Sequence, residues 1–217
     1  MIGSKGWCFE HWVGGFYPED MPQDWWFSYY SNEFQTVLLP SEYIMRYELS
    51  DWQSWMDDVS QDFTFYVELK GDSDWPRAQH YLRVLEGQLG GLILSIEAPV
   101  TASQVEVLVK NAASYAPVSI DYQPLGVIDQ DIDHLLGRLQ INGCWREGMA
   151  PGGQWRFGTS AIVMRGDGVH NSPAELRALL ESCIKSATSQ GTVTLFFDGA
   201  SPRIEDMQNT VAIGQLL

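Results

Sequence analysis

The segment Phe63–Lys70, FTFYVELK, alternates strictly between two kinds of side chain, and this alternation decides the fold prediction. Successive side chains of a β-strand point to opposite faces. One face is wholly apolar: Phe63, Phe65, Val67 and Leu69. The other is polar and ends in charge: Thr64, Tyr66, Glu68 and Lys70. The segment therefore predicts a strand with its apolar face under helices and its polar face turned the other way.

Further strands are predicted on both sides of this segment. The clearest are Gly91–Glu97, Pro117–Asp121, Ala161–Arg165 and Thr192–Asp198; Ile2–Ser4 and Thr36–Leu39 are shorter, and Gly143–Arg146 is weak. Helical segments lie between the strands, and two of them begin with Ser or Thr followed three residues later by Gln, the pattern of a capping box. These pairs are Ser50 with Gln53 and Thr101 with Gln104; a third helix is predicted to begin with Ser172 as its cap, followed by Pro173 and the acid Glu175.

Strands that alternate with helices predict a parallel sheet with right-handed crossovers. The count is close to eight units, which favours a small TIM-type (β/α)₈ barrel of roughly 200 residues over an open, doubly wound sheet. No G-x-G-x-x-G follows an early strand, and this also favours the barrel. We expect one barrel domain over residues 1–217, irregular around residues 140–160, where Arg146–Gly158 is predicted to be a long loop.

Composition limits the functional classes. The net charge of −15 repels phosphodiester backbones and anionic membrane surfaces, so we expect neither nucleic acid nor membrane as a partner. Three distant cysteines suggest no disulfide framework, and the beginning of the sequence shows no signal peptide. No apolar stretch approaches the ~20 residues that cross a bilayer. These features predict a cytoplasmic protein.

Applied to the five clearest strands, the alternation predicts a ring of charged residues inside the barrel, at the carboxyl ends of the strands. Its members are Lys70, Glu97, Asp121, Arg165 and Asp198, with Glu68 one layer deeper, Asp167 at the rim and Lys5 at the end of the first strand. Active sites of such barrels lie at this end, which is the mouth. The same residues could instead form only an interior ion-pair network, whose gain in stability desolvation offsets.

The first hundred residues resemble a known family. The opening IGSKGW, the VGGFYPED that follows, YYSNEFQTV, the strand DFTFYVELK and GGLILSIEAP are similar, in that order, to motifs of domain of unknown function family seventy-two, the YecE-like barrel proteins. The resemblance implies a TIM-type barrel and leaves the reaction open. It also implies a divergent member, because the family's acid after T-V falls on Leu38 and its R-x-H-G has Asp167 in place of histidine.

Several chemistries fit the predicted ring. Lys70 could form a Schiff base, although nearby acids would keep it protonated. Glu97 and Asp121 could act as a glycosidase pair. Asp121, Asp167 and Asp198 could hold Mg²⁺, but no metal-binding pattern supports this, and no metal is assigned.

The function predicted from the sequence is therefore general. We expect Lys70, Asp121 and Glu97 to be catalytic, and Lys5, Arg165, Asp167 and Asp198 to bind a small polar metabolite that is anionic or sugar-like. The alternative is a non-catalytic barrel with eroded motifs that binds a metabolite or a protein. Whether the chain is an enzyme, its cofactors and its oligomeric state are left open.

Overall fold

Parallel strands and helices alternate through a computed structural model of the chain, which describes residues 1–71, 75–96, 100–122, 130–146, 160–166, 172–186 and 192–217. Only the backbone is described for residues 160, 161 and 186. The strands are β1 (Ile2–Ser4), β2 (Thr36–Leu39), β3 (Thr64–Lys70), β4 (Leu89–Ser95), β5 (Val118–Asp121), β6 (Asn142–Gly143), β7 (Trp145–Arg146), β8 (Ser160–Arg165) and β9 (Thr192–Phe197). The helices are α1 (Trp26–Glu33), α2 (Ser41–Arg46), α3 (Leu49–Asp58), α4 (Trp75–Val84), α5 (Ala102–Ala112), α6 (Gln130–Leu139), α7 (Pro173–Ser186) and α8 (Ile204–Gly214). Every strand predicted from the sequence is present.

All strand pairs are parallel, and they form two sheets with the orders β2-β3-β4-β5-β6 and β1-β9-β8-β7. The sheets meet at both ends. The backbone N–H of Gly6, just after β1, donates to the Leu38 carbonyl of β2 at 2.8 Å. At the other side, Cys144 joins β6 to β7, and its N–H donates to the Ile120 carbonyl of β5 at 2.7 Å. The strands therefore follow one another around a ring.

Helix starts follow the predicted capping signals at two of three places. The Thr101 N–H donates to Gln104 Oε1 at 2.9 Å before α5, and the Ser172 N–H donates to Glu175 Oε2 at 2.7 Å before α7. The box predicted at Ser50 is wrong. Helix α3 begins earlier, because the Asp51 carboxylate accepts the N–H of Glu48 at 2.8 Å and so satisfies a backbone donor ahead of the first turn.

The two faces of the strands build two separate apolar clusters. The outer faces of β3, β4 and β5 pack with the helices in the larger cluster. The smaller cluster fills the lumen of the ring and is buried throughout: Leu38, Tyr66, Ile93, Cys144, Ile162, Met164 and Phe196. Tyr66 Oη and Thr194 Oγ1 are 3.2 Å apart within this lumen. The predicted alternation is confirmed for β3, β4, β5 and β9.

For β8 the predicted alternation is wrong. Met164 stands beside Phe196 in register and both lie in the lumen, so Arg165, beside Phe197, belongs to the outer face. Both alternate sets of this strand are apolar before Arg165, so the sequence pattern did not distinguish the inner face from the outer one. The cation predicted for the interior therefore lies outside the lumen.

None of the helices in the described ranges is long and apolar enough to cross a membrane. The longest of them, α7, has 14 residues.

Candidate functional site

Five charged side chains form one connected group at the carboxyl ends of the strands, and we call this group the mouth cluster: Lys5, Glu68, Asp121, Arg146 and Asp198. Lys5 Nζ lies 2.8 Å from Glu68 Oε1 and 3.4 Å from Asp198 Oδ1. Arg146 Nη2 donates to the other oxygen of Asp198 at 2.8 Å. Arg146 also holds Asp121 with two bonds, from Nε at 2.9 Å and from Nη2 at 2.6 Å. Asp198 therefore bridges two ion pairs.

Strand ends place these residues together. Asp121 and Arg146 are the last residues of β5 and β7, and Glu68 lies two residues before the end of β3. Lys5 follows β1, where its N–H donates to the Phe197 carbonyl at 2.9 Å. Asp198 follows β9 and its N–H donates to the carbonyl of Arg165. Because parallel strands end at the same edge, the five side chains converge.

The cluster is buried at its base and partly open above. The side chains of Glu68 and Asp121 are each 1% exposed, whereas Asp198, Lys5 and Arg146 are 11%, 16% and 19% exposed. Three carboxylates face two cations, so the cluster carries one unbalanced negative charge. The three partly exposed members are the ones that a ligand could reach.

Electrostatics keeps both cations charged. Burial opposes the charge on Lys5, but Glu68 and Asp198 outweigh this and raise the pKa of the ammonium above its ordinary value of 10.5. The same balance between burial and two carboxylates raises the pKa of Arg146. Below the cluster, burial raises the pKa of the Cys144 thiol well above 9.0, so this thiol stays neutral.

Arg146 is the member that the sequence analysis missed. A weak strand was predicted to end at this residue and an irregular loop to begin there, so no role was assigned to it. A usable signal was present, because Asn142, Cys144 and Arg146 alternate with Trp145, and Cys144 lies in the lumen while Trp145 packs under the helices. The alternation of side chains in this segment therefore predicts that Arg146 lies at the mouth.

The other predicted site residues have different positions. Lys70 Nζ lies 2.7 Å from Glu42 Oε1 of α2, and its side chain is 37% exposed. Arg165 is buried outside the lumen, with its guanidinium carbon 5.4 Å from the centre of the Phe197 ring. These contacts of Lys70 and Arg165 are made with residues outside the mouth cluster, and the roles predicted for both residues stay predictions. Lys5, Asp121 and Asp198 do come together, while Glu97 and Asp167 lie outside the described residues.

Metal binding has no support within the described ranges, where no three His, Cys, Asp or Glu side chains are placed to hold an ion together. The acids of the mouth cluster are already paired with Lys5 and Arg146.

Ring topology and a charged mouth define the chain as a β/α barrel protein of the TIM type. Residues 1–73 match the family model described as Protein of unknown function DUF72. This match confirms the resemblance to domain of unknown function family seventy-two for the first third of the chain. No curated protein matches the sequence.

Solved structures extend the likeness over the whole fold. A DUF72 family protein from Thermotoga maritima superposes with a TM-score of 0.73 at 15% identity, covering 99% of this chain and 97% of that one. A DUF72 family protein from Enterococcus faecalis gives 0.73 at 10% identity, covering 100% and 95%. D-psicose 3-epimerase from Clostridium cellulolyticum gives 0.59 at 11% identity, covering 99% and 97%. At these identities the likeness shows the fold alone, and it confirms the barrel.

Proposed function

We propose that the protein binds a small, sugar-like polyhydroxyl molecule at the barrel mouth. The observation that carries the proposal is the mouth cluster, which combines three carboxylates and two cations in one partly open group. Active and binding sites of β/α barrels lie at this end of the strands. A ligand there would meet Asp198, Lys5 and Arg146 first.

Hydroxyl groups suit this arrangement because each one can both donate and accept. A vicinal diol can donate to Asp198 while it accepts from Lys5 or Arg146, without disturbing the buried carboxylates. An anion fits less well, since the cluster already has one negative charge in excess. We therefore prefer the sugar-like ligand to the anionic one among the two expected from the sequence.

Binding is favoured over turnover because Asp121, predicted to be a catalytic acid or base, is held by both of its oxygens on Arg146. In a bidentate pair of this kind, the guanidinium fixes the position of the carboxylate and occupies both of its oxygens. The remaining expectations stay predictions: one domain over residues 1–217, a cytoplasmic location, and neither nucleic acid nor membrane as a partner.

A ligand panel tests the proposal. Neutral sugars and polyols, sugar acids and sugar phosphates are compared by thermal shift and calorimetry on the wild type and on Asp198→Asn. We expect a neutral member to bind, and Asp198→Asn to weaken it about tenfold, as for loss of one charge-assisted hydrogen bond. Glu181→Gln, in the exposed pair with Arg177, is the matched control and should bind normally.

Two results would contradict this assignment. Binding of sugar phosphates but not of neutral sugars would favour the anionic ligand, and binding that Asp198→Asn leaves unchanged would place the ligand elsewhere. Lys70→Ala is measured in parallel, because it tests whether the lysine predicted from the sequence contributes although it lies against Glu42.

A further inference from the structure

A cavity lies outside the strand ring and away from the mouth cluster, between the loop after β1 and helix α3. Its volume is about 420 Å³, within the range of small-molecule sites. Four aromatic side chains line it: Trp7, Phe27, Tyr47 and Trp55. None of the five residues of the mouth cluster contributes to it. We call it the aromatic pocket.

The aromatic wall is held in place by ring contacts. Trp55 packs against Trp7 with ring centres 4.7 Å apart and planes at 88°, and against Tyr47 at 5.0 Å and 73°. Trp7 also contacts Phe27 at 4.4 Å. Three of the four rings are buried and Tyr47 is half-buried, so the wall is formed without a ligand. Burial raises the pKa of Tyr47, and its hydroxyl therefore stays neutral.

Charge at the opening is mainly negative. Asp24, Asp51 and Asp58 line the pocket together with Arg46, which leaves an excess of two negative charges. The Arg46 guanidinium carbon stands 5.3 Å from the centre of the Tyr47 ring, so one face of the wall already carries a cation. Aromatic rings attract cations through their quadrupole, most strongly where water is partly excluded.

We propose that the aromatic pocket binds a small organic cation of the ammonium class. Tyr47 and Trp55, the more accessible rings of the wall, would contact the apolar groups around the nitrogen, and the three aspartates would neutralise the charge. The net charge of −15 of the whole chain adds a long-range attraction for such a ligand. This inference is independent of the proposed function, because the two sites share no residue.

Choline and its neutral carbon isostere, in which a tert-butyl group replaces the trimethylammonium group, test the proposal directly. The two ligands have nearly the same shape and differ in charge. We expect choline to bind the wild-type chain at millimolar or lower concentration by calorimetry, and the isostere to bind more weakly. Added salt should weaken choline alone, since the aspartates at the opening are screened by salt.

Two neighbouring aspartates provide matched variants. Asp58 lines the pocket, whereas Asp57 is exposed and does not. Asp58→Asn should weaken choline by about two- to fivefold, as for loss of one solvent-accessible ion pair, and Asp57→Asn should not. The double variant Asp24→Asn with Asp58→Asn should lose more than either single change.

Three outcomes overturn the proposal: equal affinity for choline and its isostere, the same affinity in Asp58→Asn and Asp57→Asn, or no binding of choline at millimolar concentration. Because both substitutions exchange an exposed carboxylate for an amide of the same shape, they should leave the fold intact. Circular dichroism and thermal unfolding of each variant check this.

Discussion

Replacement of Arg146 by methionine is the sharpest test of the mouth cluster. The change removes three hydrogen bonds, two to Asp121 and one to Asp198, while it keeps a long side chain in the lumen. Asp121 is 1% exposed and would remain without its cation. The variant therefore tests whether Arg146 stabilises the fold by compensating the charge of a buried carboxylate, or lies at the mouth without stabilising the fold.

The expected size of the effect follows from burial. Two unit charges ~4 Å apart at an effective dielectric near 20 interact by about 4 kcal/mol. Removal of one partner of a buried ion pair destabilises proteins by about 3–5 kcal/mol, because the other charge stays buried. We expect Arg146→Met to lower the free energy of unfolding by this amount, and the midpoint of thermal unfolding by about 6–20 °C for a chain of this size.

Urea unfolding at neutral pH measures the loss. Arg177→Met is the control, since Arg177 and Glu181 form an exposed pair with 59% and 52% of their side chains accessible. Such pairs contribute about 0.5 kcal/mol or less. The reasoning is refuted if Arg146→Met and Arg177→Met lose the same free energy.

A double variant separates charge from packing. When Asp121→Asn is added to Arg146→Met, no uncompensated charge remains at Asp121, and the second change should recover part of the loss, with a coupling of about 1–3 kcal/mol. If the free-energy loss of the double variant equals the sum of the losses of the two single variants, Arg146 acts through packing alone.

Three further predictions follow from single positions. Gly3→Ala should lower the free energy of unfolding by about 1–3 kcal/mol or more in urea, because the added methyl group would meet the Thr36 carbonyl of the adjacent strand; a neutral change would contradict the close approach of β1 and β2. The urea midpoint should fall as pH rises above 9.0 and further above 10.5. Cys144 and Lys5 have raised pKa values in the folded chain, so the unfolded chain loses these protons first and is favoured as pH rises. A constant midpoint over this pH range would refute the raised pKa values. Iodoacetamide should label Cys8 in the folded chain and Cys144 only after unfolding, as mass spectrometry of peptides would show, because Cys8 is half-buried and Cys144 is fully covered; early labelling of Cys144 would mean that the lumen opens.

The fold could be predicted from the sequence where the two faces of a strand differ in chemistry. In β3 the polar set around Tyr66 and Glu68 could only face away from the helices, and the structure places it there. In β8 the residues before Arg165 are apolar on both faces, so the choice depended on packing against β9. The alternation of side chains shows which face of a strand points inward only when one face is polar and the other is apolar.

The charged mouth could be predicted in part for a related reason. Asp121 and Asp198 end predicted strands whose alternation was clear, and Lys5 was predicted at the end of the first strand. All three lie in the cluster. The pairing of Lys70 with Glu42 depends on where α2 begins, which no local pattern specifies. Arg146 was missed because the short, weak strand Gly143–Arg146 was not examined for alternation, although its residues carry that signal.

The position of the mouth cluster above the apolar lumen indicates why these charged residues are present. Below the mouth the lumen is filled by apolar side chains such as Ile93, Met164 and Phe196, whereas the mouth cluster lies at the strand ends and within two residues of them. Replacement of a buried ion pair by apolar residues of similar volume is often neutral or stabilising. Stability alone would therefore be served as well by continuing the apolar filling upward. A charged layer at the mouth, with Asp198 bridging Lys5 and Arg146, therefore supports the proposed binding of a polar ligand above it.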